Sequence, residues 1–270
     1  MSYRLINTPI RIKKSFWVLF CAMFLMGYLA EFITLFALIL LHEAAHVFFA
    51  KLCGAKVSEL TILPIGVSAA IRSFDFLSTP KKIFILISGP LLNLTLAGAA
   101  FIFFRINTSF FVNANLAIFA LNILPILPLD GGNLFMAAFN NKLGILPTAD
   151  ILAKLGRFFS IIIITFGIIQ VILYPYNISL IILGSYLLRN NKNKSISYQN
   201  AFIKILEFPK QKNKTGFMPV KHIVLPENFS TFEALKLFGF NCYTVIYIVS
   251  NGDIMKKITE DEVIKLAFDG

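Results

Sequence analysis

The sequence predicts a membrane α-helical fold: a six-span polytopic bundle followed by a small cytosolic α/β domain. Three observations carry this expectation. Hydrophobic residues make up 57% of the 270 and charged residues only 14%, with a mean hydropathy of +0.76, whereas soluble chains are usually about 45–50% apolar. Apolar runs approaching the roughly 20 residues that cross a bilayer recur up to residue 188, and lysines and arginines flank them. Beyond residue 215 the pattern changes to the shorter periods of strands and amphipathic helices.

Taken in order, Arg4, Arg11, Lys13 and Lys14 form a basic flank expected to stay in the cytoplasm. The apolar run from Phe16 to about Ala50 is too long for one span, so a tight helical hairpin turning near Gly27 to Glu31 is expected. It lacks a small-residue cleavage site leading into a soluble domain, so it does not read as a cleaved signal peptide. Lys51 to Lys82 alternates polar and apolar residues around Pro64, Gly66 and Pro80, which reads as an interfacial hairpin or re-entrant loop. Ile83 to Phe104 is the third span, with Arg105 on the far side. The fourth runs from about Val112 to Leu129, where Pro125 and Pro128 must break the helix. Backbone freed at membrane depth must be buried or line a water-accessible cavity. Asn133 to Arg157 is mixed and basic, expected as a short interfacial helix; Phe158 to Tyr174 is a fifth span and Ile178 to Leu188 a short sixth. Residues 1–190 thus form the membrane domain, 191–215 a polar linker, and 216–270 a unit with strands at His222–Leu225 and Thr244–Val249 and helices opening near Ser230 and Thr259. At about 55 residues that unit is small enough to need a partner, either a copy of itself or the membrane domain. Twelve lysines and arginines before residue 189 fall in the expected cytoplasmic pieces and Arg105 alone in the outer loops, which places both termini in the cytoplasm.

The chemistry is concentrated at His42-Glu43-Ala44-Ala45-His46. From Phe32 to Leu52 the other ionisable residue is Lys51. Polar groups in hydrocarbon are costly without partners, so ionisable residues there are usually functional. Two histidines four apart on a helix project from one face, the spacing that grips one zinc ion, and a glutamate beside the first is placed to act as general base. A catalytic zinc takes three protein ligands and keeps one position open. Of six acidic residues before residue 190, Asp130 sits in the broken fourth span at the depth expected for the histidines, and is the candidate third ligand; its alternative is a turn aspartate before Gly131-Gly132. Such a centre hydrolyses peptide bonds. Asn122 and Asn93 are uncharged donors that could bind substrate, or else hydrogen-bond between helices. Cys53 as a further ligand would close the metal.

Together HEAAH, Ser88-Gly89-Pro90 with Asn93, and Asn122-x-x-Pro125-x-x-Pro128-Leu129-Asp130-Gly131-Gly132 resemble the three signatures of the site-2 protease family of intramembrane zinc metalloproteases. The resemblance implies one catalytic Zn2+ on His42, His46 and Asp130, Glu43 as base, and substrate positioning by Asn122 and Asn93. Ser230 to Leu235, Tyr247 to Gly252 and Thr259 to Glu262 resemble a CBS domain, which would imply ATP binding. Six spans and one CBS domain resemble the sporulation branch of the family. That implies regulated proteolysis of a membrane-associated sigma-factor precursor, inhibitory membrane proteins as partners, and a bacterial cell membrane or the one surrounding a forespore; a homo-oligomer stays open.

Other classes are disfavoured. The net charge of +11 flanks hydrophobic spans rather than forming a nucleic-acid surface. Three scattered cysteines are no disulfide framework. A transporter would favour an internal repeat, and none is visible. The remaining alternative, a membrane scaffold or receptor with a CBS regulatory domain, would need no metal.

Overall fold

The computed structural model describes residues 2–5, 8–12, 14–55, 57–63, 66–71, 74, 77–104, 110–174, 177–192, 220–238, 243–250 and 253–269. The expected outer loop at Arg105, most of the 191–215 linker and the expected turn at Asn251-Gly252 lie outside them. Contacts divide the chain into two units, Met1–Leu124 and Pro125–Gly270.

In the first unit, β1 (Ser2–Leu5) and β2 (Thr8–Ile12) precede α1 (Lys14–Leu25). Gly27, with φ +80°, turns the chain into α2 (Leu29–Leu52), where the hairpin was expected. Phe16 and Phe20 of α1 pack against Phe32, and Phe16 also against Phe36, at ring separations of 5.1–6.1 Å. The expected interfacial hairpin is β3 (Val57–Leu63) and β4 (Gly66–Ile71), antiparallel. It does not stand alone: β2 pairs parallel with β3, Ile10 opposite Leu60, giving a four-stranded sheet in the order β1-β2-β3-β4. Arg4 and Arg11 of the N-terminal basic flank are therefore part of a sheet. α3 (Thr79–Phe104) carries Pro90 inside it, and α4 (Phe110–Ile123) returns alongside. Leu38 of α2 packs with Ala114 and Ile118 of α4, while Ala97 and Ala100 of α3 pack against Val112. Small residues let these helices approach closely where lipid offers no competing hydrophobic gain.

In the second unit an irregular stretch holding Pro125 and Pro128 leads into α5 (Asp130–Leu143). Gly144, at φ +95°, separates it from α6 (Ile145–Leu173). Residues 133–157 were expected as an interfacial helix distinct from the span 158–174; instead α6 runs unbroken for 29 residues. That is roughly 43 Å at the α-helical rise, longer than a hydrocarbon core of about 30 Å. Pro147 is tolerated because it falls in the first turn, where backbone N–H groups have no helical partner anyway. α7 (Ser179–Lys192) packs along α6, close enough that Gly167 and Gly184 leave no room for a side chain. Its 14 residues extend the expected sixth segment into polar sequence, ending with Arg189 and Lys192 at the favourable end of the helix dipole.

The C-terminal elements are β5 (Val220–Pro226), α8 (Thr231–Lys236), β6 (Tyr243–Ser250), β7 (Asp253–Thr259) and α9 (Glu260–Asp269). β5 pairs parallel with β6 and β6 antiparallel with β7, a strand not expected from the sequence. Glu233 accepts from the Ser230 N–H, and Glu262 accepts from the Thr259 N–H and hydroxyl, capping α8 and α9. The sheet rests on the α5–α6 elbow: Ile145 N–H donates to Phe238 O at 2.9 Å, and Lys221 Nζ reaches the carbonyls of Lys142 and Leu237. Among the described residues, three helices, Leu29–Leu52, Thr79–Phe103 and Ile145–Leu173, are long and apolar enough to cross a membrane.

Candidate metal centre

α2 buries a stripe at four-residue spacing, Leu38, His42, His46 and Ala50, while its other faces remain open. Both imidazoles therefore leave one face of a continuous helix. α3 comes closest to them at Gly89, where a Cβ would stand 2.7 Å from His42 Nε2 and closer still to His46 Nε2. Any side chain there would occupy the space between the two rings.

The orientation of each ring follows from backbone carbonyls, which can only accept. Asn115 is fully buried and its Nδ2 donates to Phe111 O at 2.9 Å, so its Oδ1 faces Asn93 and accepts from Asn93 Nδ2 at 2.9 Å. Asn93 Oδ1 is thereby turned toward His42 Nδ1 at 2.5 Å, so this ring nitrogen must carry the proton. His46 Nδ1 lies 2.7 Å from Ile85 O and must likewise donate. Ser88 Oγ donates to the same carbonyl at 2.6 Å. With Nδ1 donating on each ring, Nε2 is the nitrogen left to face a ligand, and the two Nε2 atoms are 3.2 Å apart.

Nitrogens bound to one tetrahedral zinc at about 2.0–2.1 Å are separated by about 3.3 Å. The donor pair fits the ion, and fixing Nδ1–H with a carbonyl or carboxamide is how proteins orient metal-ligating histidines.

Glu43 follows His42 on α2, half-buried. Asp130 opens α5, where the helix dipole favours a carboxylate. Of the expected ligands, His42 and His46 lie together on α2 in the first unit, and Asp130 lies in the second. Asn122 is half-buried and its Nδ2 donates to Ile118 O one turn back in α4. Asn93, read from the sequence as a substrate contact or else a hydrogen bond between helices, has its carboxamide engaged at both ends and buried, between His42 and Asn115. Sequence reasoning missed Asn115, although an asparagine inside an apolar span is a signal of the same kind as Asn93.

The pattern described as peptidase family M50 matches residues 30–110, the stretch that holds both histidines, Gly89 and Asn93. A zinc metalloprotease of Methanocaldococcus jannaschii is 30% identical to this chain over 148 residues, 52% of this chain and 43% of that protein. Stage IV sporulation protein FB of Bacillus subtilis is 26% identical over 140 residues, 50% of this chain and 49% of that protein. The chain thus spans about half the length of these curated relatives. The solved site-2 protease from Methanocaldococcus jannaschii shares the fold with a TM-score of 0.54 and 23% identity, covering 72% of this chain and 95% of that structure.

Proposed function

We propose that this protein is an intramembrane zinc metalloendopeptidase of the site-2 protease type that performs regulated cleavage of a membrane-associated protein. The observation that carries the reading is the pair of Nε2 atoms 3.2 Å apart, each ring fixed from behind through Nδ1. His42, His46 and Asp130 are the ligands. When bound, zinc supplies a Lewis acid for the peptide carbonyl and lowers the pKa of a water toward about 7.

This chain's own residues do the rest. Glu43, beside His42, takes the proton of the attacking water and passes it to the leaving nitrogen. Gly89 leaves the space between the rings open, and Asn93 with Asn115 keeps the His42 lone pair directed into it. Asn122 is the substrate-positioning residue. A substrate must enter unwound, because a helix shields its own amides.

The six-span topology with both termini cytoplasmic belongs to the same reading, supported by the lysine and arginine asymmetry. So does a bacterial membrane location with a sigma-factor precursor as substrate, supported by the likeness to Stage IV sporulation protein FB. The β5-α8-β6-β7-α9 unit is proposed as a CBS-like module that docks substrate or senses ATP, supported by its α/β order and its two capped helices.

The test is co-expression with membrane-tethered transcription-factor precursors, comparing wild type with Glu43→Gln. The variant is expected to retain zinc and lose cleavage by about 10²–10⁴-fold, the usual worth of a positioned base. Cleavage that survives Glu43→Gln, or that ignores a zinc chelator, would refute the assignment.

A further inference from the structure

The proline-broken stretch ahead of Asp130 has to be held by something outside itself, because prolines lack the N–H groups that would tie it into a helix. Asn191 does this. It lies in the last turn of α7, in sequence that reads as the start of a polar tether, yet it is 2% exposed. Its two Nδ2 hydrogens are both committed, one to Leu187 O within α7 at 2.8 Å and the other to Leu127 O at 2.7 Å. Gly156 of α6 provides the space, since a Cβ there would overlap the Asn191 carboxamide.

Leu127 in turn belongs to a tight knot of backbone. Leu129 N–H donates to Ile126 O at 2.9 Å, Gly132 and Asn133 N–H donate to Leu129 O, and a Cβ on Gly132 would stand 2.6 Å from Ile126 O. Ile126 is fully buried. Movement of the Leu127 carbonyl is therefore passed within a few residues to the start of α5, where Asp130 sits.

We propose that Asn191 is a positioning residue: by holding the Leu127 carbonyl it fixes the stretch that delivers the Asp130 carboxylate to its metal. The metal part of this inference rests on the zinc reading above; the holding of the stretch does not. The juxtaposition that carries it is a buried, doubly donating carboxamide of α7 on a carbonyl between two prolines, in a slot left by Gly156. Groups bonded directly to a metal ligand typically matter by 10- to 100-fold in affinity; Asn191 acts one step further out, through the Leu127 carbonyl, and is expected at the low end.

The full-length protein in detergent is compared as wild type, Asn191→Leu and Gly184→Ala, the last disturbing α6–α7 packing against Ile164 without touching Leu127. Two quantities are read: zinc affinity by chelator competition, and amide hydrogen exchange of residues 124–133 in the metal-free protein. Asn191→Leu is expected to accelerate exchange across that stretch and weaken zinc about tenfold, whereas Gly184→Ala lowers thermal stability and leaves both readings near wild type. Should the leucine variant not fold, Asn191→Ala, which adds no bulk, takes its place. Exchange in the Asn191 variant matching Gly184→Ala would overturn the proposal. Faster exchange with unchanged zinc affinity would overturn the link to Asp130. A wild type that takes up no zinc would sink the metalloprotease reading, and the exchange comparison would still decide whether Asn191 holds the stretch.

Discussion

Replacing Gly89 by alanine adds one methyl group to α3 and should empty the metal centre. The new Cβ would stand 2.7 Å from both His42 Nε2 and His46 Cε1, and closer to His46 Nε2, where ordinary contact begins near 3.4 Å. At least one ring must retreat by about 0.7 Å or more, while metal–ligand distances tolerate only about 0.2 Å. Neither ring can rotate freely away, because His42 is tied to Asn93 and His46 to Ile85 O. The effect on folding should be small by comparison: overpacking costs about 1–3 kcal/mol, and alanine returns up to about 1 kcal/mol over glycine in a helix. Gly98→Ala on the same helix is the matched control, since a Cβ there meets nothing within 4 Å. Zinc content per chain by elemental analysis, together with thermal unfolding in detergent, reads both terms. Gly89→Ala is expected to bind zinc at least 100-fold more weakly with a modest stability change, and Gly98→Ala to be unchanged or slightly stabilised. Full zinc content in Gly89→Ala would refute the reasoning that this glycine keeps the space between the imidazoles.

The relay behind His42 makes a separate prediction. Asn115→Leu leaves the Asn93 amide without its acceptor and free to flip, which should weaken zinc about tenfold in a chelator competition while α2 and α3 keep their helicity. At the elbow, Gly144→Ala meets both a φ of +95° and overlap with the Lys236 carbonyl oxygen; the C-terminal unit should loosen from α5–α6 and be released faster by limited proteolysis. Glu262 is held below its ordinary carboxylate range, first by the Thr259 backbone N–H and then by the Thr259 hydroxyl. Because its folded pKa is depressed, the cap's contribution is present above the unfolded value of about 4.3 and is lost as pH falls through the folded one. Amide protection at Thr259 should accordingly fade in acid, and Glu262→Gln should remove that pH dependence.

How far each element could be read from the chain depended on how local its cause was. The α1–α2 hairpin, the β3–β4 hairpin and the capped C-terminal helices were legible because Gly27, the punctuation at Pro64 and Gly66, and the Ser230–Glu233 and Thr259–Glu262 boxes act within a few residues. The parallel pairing of β2 with β3 joins segments some fifty residues apart, and no local pattern announces it. α6 was divided wrongly because Lys154 and Arg157 look like an interface, whereas a helix longer than the bilayer carries such residues beyond the hydrocarbon without breaking. The HExxH spacing put His42 and His46 on one helix face, but what orients the rings is not local: Asn93 reaches His42 with its direction fixed by the Phe111 carbonyl through Asn115. Asn191 reads as linker for the same reason, since its partner Leu127 is 64 residues away.

X-ray absorption at the zinc edge of the purified, zinc-loaded chain tests the central claim most directly. Two imidazole nitrogens and oxygen ligation at about 2.0–2.2 Å are expected, with one imidazole shell lost in His46→Ala and an oxygen contribution altered in Asp130→Asn. Sulfur scattering, a single imidazole, or a chain that retains no zinc at all would contradict it.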